Sequence, residues 1–256
     1  MHELLHLFNP ASYWRLLVEI FQSLRRPVLH DEKPFRLSYL RVVVMVVILT
    51  AVFKIIAVLI KFGVDNYFGF DYEESETERS KLMSLLLVGL AGPFVEELLF
   101  RLPMRLNTRN LSVSVALGVV LFALGKQINL LIQPWFTNED LRGLAQLLIK
   151  LLMAAALSCI IWLIIRRFNS ALAAFCARRF TWIFYFFTLL FGFAHITNSA
   201  LSWHNLLYVV PLTLPQLIGG LLLGYTRINL GLKYAIIQHS VWNFLALIPV
   251  LTGAVS

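Results

Sequence analysis

Long apolar stretches alternate with short polar connections along this chain. Each stretch approaches the roughly 20 residues that cross a ~30 Å hydrocarbon core as a helix. The stretches lie at approximately 37–60, 82–106, 111–134, 143–165, 181–200, 206–225 and 229–253. The pattern predicts an all-α protein, a polytopic transmembrane helical bundle of about seven spans.

A further helix is predicted before the first span, over 13–24. One face of this helix is apolar and carries Leu16, Leu17, Ile20 and Phe21. An amphipathic helix of this kind typically lies along the membrane surface. We therefore expect a cytoplasmic N-terminal amphipathic segment, 1–36, followed by a transmembrane domain, 37–256.

The composition excludes the main alternatives to a membrane protein. Apolar residues make up 59% of the chain and charged residues 14%. Soluble domains carry about 45–50% apolar residues and about 25% charged ones. A soluble domain and a disordered chain are both inconsistent with these figures.

The charges predict the orientation of the spans. Lys and Arg outnumber Asp and Glu by 22 to 14, but no basic run is interleaved with aromatic residues, so no nucleic-acid partner is expected. Basic residues concentrate before the first span and in every second connection after it. The positive-inside rule then places the N-terminus in the cytoplasm and the C-terminus outside. We expect an integral protein of an inner (plasma) membrane, with the acidic loop 71–81 facing outward.

The second span carries ionisable residues. Such residues cost free energy in a bilayer, so their presence requires a structural or functional explanation. Glu96 and Glu97 are adjacent and therefore point about 100° apart on a helix. Glu97 and Arg101 are four positions apart and can pair on one face. Glu96 then points elsewhere, and a carboxylate in low dielectric can act as a general base toward water. Alternatively, both carboxylates pair with Arg101 and only hold helices together.

Polar residues also lie within the fifth and seventh spans. His195 alone is typical of a hydrogen-bonding residue between helices. His239 and Asn243 project from one face of the last span and could hold a developing oxyanion, or could form a polar clasp between helices. Counted from the predicted cytoplasmic ends, Glu96 and the two histidines lie about 15–21 Å deep, at ~1.5 Å per residue. This common depth predicts one shared hydrated cavity.

Together these residues form three motifs: Glu96-Glu97-Leu98-Leu99-Phe100-Arg101, Phe191-Gly192-Phe193-Ala194-His195 and His239-Ser240-Val241-Trp242-Asn243. The chain here resembles the CPBP intramembrane proteases, also called the Abi or type II CAAX prenyl endopeptidase family, whose motifs are EExxxR, FxxxH and HxxxN/D. Gly92-Pro93 and Asn198 are also similar to the family. The resemblance covers about residues 85–250, and its specificity comes from all three motifs occurring in order within apolar spans.

The resemblance implies a role for each residue. Glu96 would activate water, assisted by His195, and His239 with Asn243 would stabilise the oxyanion. Glu97 and Arg101 would be structural. The family is usually described as metal-free, so no cofactor is expected. Zinc is the alternative, with Glu96, His195 and His239 as ligands and water in the fourth position.

In many relatives a short connection joins the first two motifs, whereas in this chain a longer segment separates them. The spans 111–134 and 143–165 are read as an extra helical pair, which preserves the orientation of the spans that follow. Within the first of them, Phe122 to Lys126 resembles FxxxH with lysine in place of histidine. The segment that ends at His195 is the better match.

Three functions follow from these patterns. The first is an intramembrane endopeptidase that hydrolyses a membrane-associated peptide or protein substrate, possibly lipidated. The second is a proton-coupled transporter that uses the buried Glu/His cluster, although the chain shows no inverted repeat. The third is a non-catalytic membrane scaffold or immunity protein. Membrane lipids are expected partners in every case.

Overall fold

A computed structural model of the chain describes residues 9–68, 80–198 and 209–252. These residues are α-helical, with short π- and 3₁₀-helical segments, and they contain no strand, which confirms the prediction of an all-α protein. Most of the predicted loop 71–81 lies outside the described residues, as do the first eight residues, 199–208 and the last four. Contacts divide the chain into two compact units, 1–75 with 180–238 and 76–179 with 239–256.

The α-helices follow the predicted apolar segments in chain order. They are α1 (Pro10–Arg25), α2 (Leu37–Phe68), α3 (Lys81–Ser84), α4 (Gly92–Phe100), α5 (Thr108–Gly118), α6 (Gly125–Ile132), α7 (Glu139–Ile165), α8 (Asn169–Ala194), α9 (Val209–Asn229) and α10 (Leu232–Thr252). The π-helical segments are Leu85–Ala91 and Val119–Ala123. The 3₁₀ turns are Leu102–Met104, Gln133–Trp135, Arg166–Phe168 and His195–Asn198.

Several helices are long and apolar enough to cross a membrane. Among the described residues these are Ser38–Ile60, Lys81–Met104 and Glu139–Ala194, and a fourth span results if the bent pair Thr108–Ala123 and Gly125–Trp135 counts as one. They correspond to the first five predicted spans. The total of seven stays a prediction.

The third predicted span, 111–134, is bent rather than straight. Its two halves meet at 60°. The bend follows the π-helical segment Val119–Ala123, where the Leu124 N–H donates to the Val119 carbonyl at 3.1 Å and Leu124 leaves regular helical geometry (φ −105°, ψ −9°). A π-helical turn shifts the hydrogen-bond register, which is a recognised cause of sharp kinks.

The connection expected between the fourth and fifth spans is helical. Helical backbone runs through 56 residues from Glu139 to Ala194. A straight helix of that length would measure about 84 Å, far more than one crossing of a ~30 Å core requires. The run is interrupted by the 3₁₀ turn Arg166–Phe168 and by Arg179 (φ −122°, ψ 21°).

The unit 1–75 with 180–238 is built on the packing of α9 against α2, with α1 on α9. One core cluster of this unit contains Leu16, Ile20, Met45, Val46, Leu49, Leu222 and Tyr225. Leu16 and Ile20 of the apolar face predicted for α1 thus pack in this core, whereas Phe21 is 70% exposed. Trp14, Val18 and Phe21, spaced i, i+4, i+7, form a second, exposed apolar stripe.

The extended segment 26–36 lies against the turn between α9 and α10 in the same unit. The His30 N–H donates to the Ile228 carbonyl at 2.9 Å. Arg227 is buried and pairs with Glu32 at 2.8 Å. Gly231, at φ +116°, reverses the chain beside them in a conformation that favours glycine.

The unit 76–179 with 239–256 packs α4 on α5, and both α5 and α6 on α7. Asparagine side chains cap two of its helices: Asn107 accepts from the Asn110 N–H, and Asn138 accepts from the Leu141 N–H. The Ser114 hydroxyl donates to the Leu99 carbonyl at 2.6 Å. This bond joins α5 to α4, the helix that carries the paired glutamates.

Candidate active site

Glu97 is the buried centre of the site. Its carboxylate is 0% exposed, and its Oε1 lies 3.0 Å from His239 Nδ1. Its Oε2 lies 3.8 Å from Nε of Arg101, which is equally buried. The predicted pairing of Glu97 with Arg101 is therefore present, and His239 joins it.

Helix α4 sets this geometry over a single turn. Pro93 is its second residue, directly after the π-helical segment Leu85–Ala91, and has no N–H to donate back to that segment. The helix ends at Arg101, whose backbone N–H donates to the Glu97 carbonyl at 2.9 Å. The four-residue spacing thus places the two side chains on one face.

Glu96 occupies a different environment from Glu97. Its side chain is 32% exposed, and its Oε2 lies 3.7 Å from His239 Nε2. That oxygen is buried. Glu96 is therefore in contact with the same imidazole as Glu97, but part of its side chain is open to molecules outside the protein.

The His239 ring lies between the two carboxylates, with one ring nitrogen toward each. At 3.0 Å, Nδ1 is within hydrogen-bond distance of Glu97, and an ionised carboxylate can only accept. Nδ1 therefore carries a proton. Nε2, 3.7 Å from Glu96, carries one only when the ring is an imidazolium.

Asn243 lies one turn beyond His239 on α10. Its Nδ2 donates to the Val88 carbonyl at 2.8 Å, within the π-helical segment Leu85–Ala91. An amide nitrogen has two hydrogens, so one remains to donate to a second acceptor.

The close approach of α10 to this π-helical segment could not be predicted from the sequence. A Cβ atom on Gly89 would overlap the ring of Phe244, with Cδ1 only 2.8 Å away. Glycine at 89 therefore lets α10 come near enough for Asn243 to reach Val88. An isolated glycine in an apolar span does not by itself reveal which side chain it accommodates.

His195 belongs to the other unit, 1–75 with 180–238. It is the first residue of the 3₁₀ turn that follows α8. Its Nδ1 lies 2.8 Å from the Phe191 carbonyl, and the two rings meet edge to face at 4.7 Å. The spacing of the FxxxH motif thus corresponds to a local contact. Because a carbonyl only accepts, Nδ1 is the donor and Nε2 is the basic nitrogen.

The structure thus brings together four of the predicted residues, namely Glu96, Glu97, Arg101 and His239, and places Asn243 next to them along α10. The side chain of Asn198 lies outside the described residues. Lys126, the alternative second-motif residue, is exposed at the start of α6. Within the described ranges no three His, Cys, Asp or Glu side chains are grouped to hold a metal ion.

A comparison of the chain with protein-family models, with curated proteins and with solved structures finds no match.

Proposed function

We propose that this protein is an intramembrane endopeptidase that hydrolyses a peptide bond with water activated by Glu96. The observation that carries the proposal is the placement of His239 between two unequal carboxylates. Glu97 is fully buried, whereas a third of the Glu96 side chain is accessible. Glu97 is thus suited to stabilise the site, and Glu96 is suited to contact a substrate.

The first chemical step uses Glu96 as a general base. Its carboxylate takes a proton from a water molecule while the water oxygen forms a bond to the scissile carbonyl carbon. By the family resemblance, His195 would assist Glu96 in this step. The proton held by Glu96 then passes to the leaving amine as the carbon–nitrogen bond breaks, which leaves a carboxylate and an amine as products.

His239 and Asn243 stabilise the oxyanion of the tetrahedral intermediate. Asn243 contributes its second amide hydrogen, since the first is donated to Val88. His239 contributes Nε2–H, a donor that its ring carries in the imidazolium form. Donors fixed in place before the reaction are worth about 2.7–4 kcal/mol each in acyl-transfer sites.

The proposed setting is the bacterial inner membrane, with seven spans, a cytoplasmic N-terminus and an outer C-terminus. Helices α9 and α10, of 21 residues each, supply the last two spans. The exposed stripe Trp14, Val18 and Phe21 supports a position of α1 along the membrane surface. The proposed substrate is a membrane-associated peptide or protein, possibly lipidated.

The proposed chemistry uses no metal. Zinc held by Glu96, His195 and His239 is the alternative, and chelation distinguishes the two. A transporter or a non-catalytic scaffold would use Glu96 for proton transfer or packing instead. Neither would release new peptides.

A comparison of peptides in membranes tests the function without a known substrate. Membranes that contain the wild-type protein, Glu96→Gln or Glu139→Gln are incubated, and the released peptides are identified by mass spectrometry. Glu139→Gln is the matched control, because Glu139 is partly exposed and pairs with Arg142 at the start of α7. We expect the same new peptides with wild type and the control, and none with Glu96→Gln. An identical profile from all three proteins would reject the proposal.

A further inference from the structure

A polar cavity of about 510 Å³ lies in the unit 76–179 with 239–256, apart from the glutamate site. It forms where the end of α7 and the beginning of α8 meet the beginning of α5. Its lining includes Asn107, Arg109, Asn110, Trp162, Arg166 and Asn169.

The charge of this cavity favours an anion. Arg109 and Arg166 contribute two guanidinium groups, and none of the described residues that line it is acidic. Arginine is the side chain best suited to phosphate, because its planar fork of N–H donors matches two phosphate oxygens.

Hydrogen bonds fix the polar wall of the cavity. Asn169 Oδ1 accepts from the Thr108 N–H at 3.1 Å and from its hydroxyl at 3.2 Å, which ties α8 to α5. The Asn107 side chain in turn accepts from the Asn110 N–H at 2.9 Å. These bonds use the oxygens of both amides, so the remaining capacity of Asn169 is for donation to a ligand.

The cavity lies at the end of a long apolar helix. Arg166 directly follows Ile165, where the 27 residues of α7 end. The Arg166 guanidinium carbon lies 5.9 Å from the centre of the Trp162 ring. Trp and Arg at such an end are typical of the headgroup level of a membrane. Basic pockets between transmembrane helices at that level bind anionic lipid headgroups.

We propose that this cavity binds the phosphate group of an anionic phospholipid, at one lipid per chain. The chemistry recognised is a phosphate ester, held by Arg109 and Arg166 with Asn169 as an additional donor. The acyl chains would lie along the apolar surface of α7. The site is independent of the proposed peptidase.

Native mass spectrometry and thermal unfolding of the full chain in detergent test the site. The lipids are short-chain phosphatidylglycerol and, for comparison, zwitterionic phosphatidylcholine. We expect one bound phosphatidylglycerol with a rise in Tm, and neither effect with phosphatidylcholine. At about 1 kcal/mol per basic residue, Arg166→Gln should weaken binding about fivefold, and Arg109→Gln with Arg166→Gln about thirtyfold.

Arg167→Gln is the matched control, since it removes the same charge at the next position. Arg167 packs over Phe168 at 4.8 Å and does not line the cavity. It should leave binding unchanged, and all variants should match the wild-type Tm without lipid because both cavity arginines are exposed. Equal losses in Arg166→Gln and Arg167→Gln would overturn the site. Saturation by inorganic phosphate or glycerol phosphate at the same concentration would overturn its assignment to a lipid.

Discussion

His239 Nδ1 lies 3.0 Å from Glu97 Oε1, a contact between residues 142 positions apart in the chain. The bond joins the first and last sequence motifs and fixes which nitrogen of His239 carries a proton. It also gives Glu97 a structural role that the adjacent Glu96 does not share. The account of the site depends on this difference between neighbouring glutamates.

Glu97→Gln should therefore unfold the protein far more easily than Glu96→Gln. Replacing Glu97 removes the carboxylate from buried Arg101 and His239, and breaking such a pair costs about 3–5 kcal/mol. Glu96 is partly accessible, so its amide should change the free energy of unfolding by less than about 1 kcal/mol. Thermal unfolding in detergent measures both. Equal destabilisation by the two variants would show that both glutamates only hold helices together.

Gly89→Ala should destabilise the protein through Phe244. The added methyl group overlaps the ring, and overpacking of this kind costs about 1–3 kcal/mol. In a Phe244→Ala background the ring is gone, so Gly89→Ala should be neutral or stabilising. The double-mutant cycle measures the coupling between the two positions. Additive effects would contradict the close packing of α10 on the π-helical segment.

Gly231→Ala should lower stability by about 1–2 kcal/mol, because an L side chain at φ +116° is strained. Its Cβ would also lie 3.1 Å from the Glu32 side chain, which pairs with buried Arg227. The matched control is Gly63→Ala in α2, whose Cβ meets no atom within 4 Å. That variant should be neutral or more stable by up to about 1 kcal/mol. Denaturant unfolding compares the two, and a neutral Gly231→Ala would contradict the strained turn.

Asn243→Leu should lower kcat much more than it changes KM. It removes an oxyanion donor, with an expected loss of about 100- to 1,000-fold. The bond to the Val88 carbonyl is also lost, at a cost to stability of about 1 kcal/mol. Steady-state kinetics on a cleaved peptide separates the two effects. A raised KM with unchanged kcat would assign Asn243 to substrate binding instead.

Chelators should leave peptidase activity unchanged. The proposed chemistry depends on Glu96 and hydrogen-bond donors and uses no metal ion. Activity is measured before and after treatment with a membrane-permeant zinc chelator. Loss of activity followed by recovery on adding zinc would replace the metal-free mechanism with the zinc alternative.

The sequence predicted the helices well because their signals are local. Apolar length and four-residue spacing depend only on neighbouring positions, so the all-α class and the pairing of Glu97 with Arg101 could be read directly. Helix continuity was less predictable. The bend after Val119–Ala123 depends on a shifted hydrogen-bond register, and the helical connection through Arg166 carries basic residues that are equally typical of a loop.

The contacts that complete the site depend on packing between distant segments. Spacing placed His239 and Asn243 on one face, but it did not indicate that His239 would contact Glu97 or that Asn243 would donate to Val88. The packing of α1 also depends on a distant segment. An amphipathic pattern with apolar residues on two sides of α1 does not say which side the core of its unit will cover.

Hydrolysis of a peptide from the membrane profile, by purified protein in proteoliposomes, tests the central claim most directly. Rates are compared for the wild type, Glu96→Gln and Glu139→Gln at equal amounts of folded protein. General base catalysis contributes about 10²–10⁴-fold, so Glu96→Gln should lower kcat at least about 100-fold, while Glu139→Gln retains the wild-type rate. Cleavage by Glu96→Gln at the wild-type rate would contradict the account.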